Sequence, residues 1–283
     1  MGIRVCTGRR TGINSAVKIG VVVSAVVAVV VSFLGSGAWI GTPIAEAAGG
    51  ALSATSTLVA PAGPAFSIWS VIYTGLIVYA VWQFLPGRTT RHDALRLPII
   101  ASMLLNPAWI LAIQLGQVWL SVVVIVALLA ALVRVFVLLQ QRPPESVADA
   151  VITDGTFGLY LGWVCVATIA NVSAWLVDLG VTDAATTWAV VVLVVAALVG
   201  VTLARYSGGA IAPMLAIVWG LGWLAQGRLT GELTNTTVGW AAVLAAAVVA
   251  VATVGIRVRS QQATGRQTVA AVVARPRTQE LGQ

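Results

Sequence analysis

Charge is what this sequence has least of. Of its 283 residues only 9% are charged, nine of them acidic, and there is one histidine and there are two cysteines. A soluble globular domain carries about 25% charged residues, so a soluble fold is excluded. The two cysteines, Cys6 and Cys165, fall in a terminal segment and deep in an apolar run, so no disulfide framework is expected. The single histidine, His92, is placed by the sequence in a loop with no evident partner for a metal site. No Ser, Cys or His constellation suggests covalent catalysis, and no phosphate-cradling loop suggests ATP hydrolysis. The expectation is a protein that is not an enzyme and needs no cofactor. No acidic residue falls inside an expected span, which argues against ion-coupled transport.

What is present is apolar. Hydrophobic residues make up 59% of the chain and its mean hydropathy is +0.97. Long Val/Ala/Leu runs without alternation exclude a β-barrel, leaving an all-α, polytopic membrane bundle. Windows of about 20 apolar residues place eight spans at roughly 17–35, 66–84, 97–115, 118–140, 156–177, 187–204, 209–227 and 238–256. The sixth and seventh are divided only by "RYSGG".

The basic residues give an orientation. Fifteen of the sixteen Lys and Arg fall on one side if the N-terminus is cytoplasmic, with Arg134 snorkelling to that side. The opposite loops hold Glu46, Asp178, Asp183 and Glu232, and Arg228 as their only base. Both termini are therefore expected in the cytoplasm of a bacterial-type plasma membrane. That sorting accounts for the net charge of +7 without a nucleic-acid partner. Basic residues, an apolar run and "IAEAA" also fit a signal peptide. The run is long and stands well before Ala45 and Ala47, so a retained helix is expected.

Four regions follow: a cytoplasmic tail (1–16), a five-helix core (17–177) with a long external loop (36–65), three further helices (178–256), and a disordered basic tail (257–283).

Three spans carry polar and aromatic stripes. Phe66, Trp69 and Tyr73 share one helix face, as do Ser102, Asn106 and Trp109, and Tyr160, Trp163, Ala167, Asn171 and Trp175. With the N-terminus inside, Trp69, Tyr73, Asn106, Trp109, Asn171 and Trp175 share the outer half of the bilayer beneath the long loop. Single Trp and Tyr residues are ordinary interfacial anchors, and Trp39, Trp82, Trp119, Trp188 and Trp240 fit such a belt. Interhelical Asn often only joins helices. The convergence of three stripes suggests instead an aromatic pocket for a flat apolar ligand. In the last helices, Ala196, Gly200 and Ala204 form a small-residue contact pattern. Trp219 and Trp223 either extend the pocket or pack helices.

"FSIWSVIY", "LLNPAWILAIQLGQVWLS" and "YLGWVCVATIANVSAW" resemble, in order, helices two, three into four, and five of the TspO/translocator-protein family, the tryptophan-rich sensory proteins related to the peripheral benzodiazepine receptor. The resemblance covers residues 17–177. It implies a five-helix bundle that binds a tetrapyrrole such as a porphyrin in a pocket capped by the loop between helices one and two. It marks Trp69, Tyr73, Asn106, Trp109, Trp163, Asn171 and Trp175 as pocket residues. The expected partners are thus a small hydrophobic, tetrapyrrole-like ligand and the lipid bilayer, with homodimerisation left open. A sensory or regulatory role and passive carriage of the ligand both need this pocket. The chain departs from the family in "STLVAPAGPAFSIW", which lacks the loop Trp. It departs again in "LVDLGVTD", which lacks the Tyr and base of the animal sterol motif, so sterol binding is not expected.

Overall fold

The computed structural model describes residues 6–35, 42–85 and 90–273, with side chains over 15–35, 42–85 and 91–263. Its long helices are α1 (Cys6–Gly35), α2 (Ile68–Trp82), α3 (Thr90–Gln114), α4 (Val118–Gln141), α5 (Val147–Asp178), α6 (Ala185–Ser207), α7 (Ile211–Thr230) and α8 (Thr236–Val273). The 3-10 turn Gly63–Ser67 leads into α2, and α5 passes through a π-helical stretch, Ala150–Gly155. There is no strand among the described residues. The protein is an all-α, polytopic membrane bundle.

Seven of these segments are long and apolar enough to cross a membrane. The exception, α7, coincides with the seventh of the eight expected spans. Pro213, Gln226 and Arg228 dilute its apolar content. It is packed against α5 and α8, and a helix shielded by neighbours need not present hydrocarbon all round. "RYSGG" does divide α6 from α7. Gly208 is left-handed (φ 66°), and the Gly209 amide donates to the Ala204 carbonyl at 2.8 Å, a glycine stop that an L side chain would strain.

Two expectations about the ends are corrected. Residues 257–273, expected as a disordered tail, continue α8 as helix. They hold Gln, Arg, Ala and Val but no proline, and such residues extend a helix already formed. Residues 6–16, expected as a tail, begin α1. Trp39 lies outside the described residues.

The packing order explains the site. Helix α3 packs on α1 and α4, α4 on α5, α5 on α2, and α2 on α1, closing a five-helix ring. Outside it, α7 packs on α5 and α8, and α6 on α8. The ring and the three-helix unit have separate hydrophobic cores. They meet where Gly162 on α5 lies directly under the Pro213 carbonyl and near Ala216 of α7; a Cβ at Gly162 would sit 2.9 Å from the Ala216 Cβ. The Ala196–Gly200–Ala204 stripe is buried and faces α8, where a Cβ at Gly200 would meet Val249 at 2.7 Å.

Candidate functional site

The end of the bundle bearing the 42–67 segment, here the loop end, holds two cavities that share Leu52, Phe66, Trp69 and Trp109 as walls. The larger has a volume of about 490 Å³ and lies between α1, α2, α3 and the loop, with Ser32, Phe33, Ser70 and Tyr73 among its walls. The smaller, of about 30 Å³, lies between α3, α4, α5 and the loop residues Ser56, Ala60 and Pro61. No charged side chain lines either cavity.

Aromatic rings set the shape. Trp69 and Tyr73, one turn apart on α2, stack with centroids 5.2 Å apart and planes 18° from parallel. The Trp69 ring also meets Tyr160 and Trp163 edge-on, at 5.7 and 6.3 Å, and Phe66 meets Trp163 edge-on at 5.6 Å. These offset and T-shaped contacts are the arrangements that aromatic quadrupoles favour. They leave Trp69 braced on two sides and still lining both cavities.

Two hydrogen-bonded chains radiate from α3 at this level. Asn106 donates to the Tyr73 hydroxyl at 2.8 Å and to Ser32 Oγ at 3.2 Å, joining α3 to α2 and α1. Trp109 donates its indole N–H to Asn171 Oδ1 at 2.5 Å, and Asn171 Nδ2 donates to Ser121 Oγ at 2.8 Å, joining α3 to α5 and α4. Between the two origins stands Pro107, which has no N–H to offer the Met103 carbonyl. All five ring helices are thus tied at one depth, around the cavities.

Of the residues singled out in the sequence, Trp69, Tyr73, Asn106, Trp109 and Trp163 line one cavity or both. Asn171 is fully buried and holds Trp109 from behind, while Trp175 is not among the lining residues. Phe66 belongs to the site, and its place on the Trp69 face was a signal for it. The loop residues Leu52, Ser56 and Pro61, and Ile125 and Leu128 of α4, carried no such signal. Trp219 and Trp223 line neither cavity. The Trp219 indole donates to the Ala65 carbonyl at 2.9 Å, and the Trp223 carbonyl accepts from the Ala62 amide at 3.3 Å.

With this geometry in place, the comparison with known families is decisive: the chain matches the family described as TSPO-like protein over residues 18–255. The chain belongs to the TSPO-like family. Neither a curated protein nor a solved structure matches it. The match extends beyond the five-helix ring to α6, α7 and the first half of α8.

The other end of this TSPO-like protein corrects a further expectation. His92 is not in a loop; it is fully buried in α3. Its Nδ1 is 3.4 Å from the Tyr79 hydroxyl and its Nε2 is 3.4 Å from Asp149 Oδ1. Arg91 pairs with Asp149 at 2.6 Å and with Asp154 at 2.5 Å, and donates to the Arg142 carbonyl at 2.7 Å. Thr153 donates to Asp149 at 2.8 Å, and Trp82, expected in the interfacial belt, lies 3.4 Å from the same carboxylate. These acids are inside a helix because α5 begins at Val147, about two turns before the expected start. Residues 147–155, ahead of the span expected from 156, are polar, and their ion pairs satisfy that polarity within the bundle. By contrast Trp119, Trp188 and Trp240 are more than half exposed, as belt residues should be.

Proposed function

We propose that this TSPO-like membrane protein holds a flat, hydrophobic ligand of the tetrapyrrole class in the loop-end cavities, as a sensor or regulator of that metabolite. The single observation that carries the reading is the braced Trp69–Tyr73 stack beside a cavity of about 490 Å³. Ligand sites fall at about 300–1,000 Å³ and are mostly apolar with few polar groups, and this lining is of that kind. Stacking on a fixed aromatic plane adds about 0.5–1.5 kcal/mol beyond buried area, and here the planes are held in place before the ligand arrives.

The orientation that goes with this reading puts both termini in the cytoplasm and the loop outside, in a bacterial-type plasma membrane, following the basic residues. The rival reading, passive carriage, uses the same cavities but needs a way through the ring. The far end, filled by Tyr79, His92 and the Arg91–Asp149 pair, lends it no support. The test compares equilibrium porphyrin binding to the pure protein with porphyrin flux into liposomes that contain it. Saturable binding without protein-dependent flux supports the sensor. Flux that scales with protein supports the carrier, and neither effect would contradict both.

A further inference from the structure

The lid over the cavities is held from outside the ring. Segment 52–65 lies between the two hydrophobic cores, with Leu52 buried in that of the ring and Val59 in that of the three-helix unit. From α7, the Arg228 guanidinium reaches into the segment. It donates to the carbonyls of Ala54, of Thr57 at 3.2 Å and of Ala60 at 3.5 Å. Two further bonds fasten the segment to earlier turns of α7, from Trp219 to the Ala65 carbonyl and from the Ala62 amide to the Trp223 carbonyl. Ala54 and Ala60, whose carbonyls Arg228 holds, are themselves cavity walls.

Arg228 is an unusual residue for this place. It is 1% exposed, and no carboxylate pairs with it among the described residues. A buried guanidinium is costly unless its rigid fork of donors is satisfied, and here peptide carbonyls of the lid take both terminal nitrogens while Nε has no partner. Its own backbone is fixed in turn. The Asn235 amide donates to the Arg228 carbonyl at 2.8 Å, and the Asn235 side chain donates to Thr186 of α6 at 2.9 Å. The Asn235 side-chain oxygen also accepts the Val238 amide of α8 at 3.1 Å, so all three outer helices fix the backbone that carries the guanidinium.

We propose that α6–α8 act as a latch on the lid, with Arg228 and Trp219 as the positioning residues that set the shape and the opening of the cavities. When the segment lifts, Arg228 loses its carbonyls and gains water, so the charge that favours the closed lid is also solvated in the open one. An apolar residue at 228 would give packing without this exchange. The proposal rests on the reading of the cavities as a ligand site, but the latch itself is testable without a ligand.

The experiment is amide hydrogen exchange on the full chain in detergent, for the wild type, Arg228→Met, Arg228→Lys and Trp219→Phe. Trp219→Phe keeps an aromatic ring while removing the indole donor and part of its volume, so it guards against failure of Arg228→Met to fold. The latch predicts exchange within 52–65 faster by about tenfold in Arg228→Met, a smaller rise in Arg228→Lys and Trp219→Phe, and unchanged protection in α3 and α4. Porphyrin should then associate and dissociate faster in Arg228→Met, with equilibrium affinity changed less than either rate. Lid exchange unchanged in the variants that fold, or raised equally along the whole chain, would overturn the latch. If the wild type binds no porphyrin, the ligand reading fails and the exchange result still decides the latch.

Discussion

Trp109 and Asn171 are joined across the α3–α5 gap by a 2.5 Å hydrogen bond, indole N–H to amide oxygen, with both side chains buried. Asn171 is thereby engaged on both sides, accepting from Trp109 and donating to Ser121 of α4. It contributes to the cavity by fixing the indole that lines it.

Asn171→Leu should therefore destabilise the ring, since it strands the buried Trp109 N–H. Leaving a buried group unsatisfied costs about 1–3 kcal/mol. Thermal unfolding in detergent should show a lowered midpoint, and Trp109→Phe combined with Asn171→Leu should recover part of it. Full additivity of the two changes would argue that the bond contributes nothing.

The same pair shows what the sequence could convey. Helical periodicity placed Asn106, Trp109 and Asn171 on inward faces, and the order of motifs brought their helices into one bundle. Which polar group meets the ligand and which meets a neighbour is a matter of interhelical distance, and spacing along one helix does not contain it. The loop walls Leu52, Ser56 and Pro61 were illegible for a similar reason: irregular segments have no period. Arg228 was visible only as a base on the acidic side. Its partners are carbonyls, which every residue has, so no side-chain pattern could announce them.

At the far end, Asp149→Asn should leave Arg91 with a weakened set of partners. Removing one member of a buried pair costs about 3–5 kcal/mol, and Asp154, still 2.5 Å from Arg91, should hold the loss to the lower part of that range. The paired change Arg91→Leu with Asp149→Leu should be milder than Asp149→Asn alone. A detergent unfolding series checks this, and a double variant worse than the single would contradict it.

Orientation is tested by reporter fusions. A reporter after Gln283 should be active only in the cytoplasm, and one inserted at Gly49 only outside, because basic residues gather at the end opposite the loop. The reverse pattern would refute the proposed topology.

On the proposed reading, the braced aromatic stack holds a ligand. Its most direct test is a porphyrin titration followed by quenching of intrinsic tryptophan fluorescence. The wild type should be compared with Trp69→Ala and with the belt variants Trp188→Ala and Trp240→Ala. Loss of a stacking plane and its buried area should weaken binding at Trp69 by roughly tenfold or more, while the two exposed tryptophans leave affinity unchanged. Equal losses at all three positions, or none at Trp69, would contradict it.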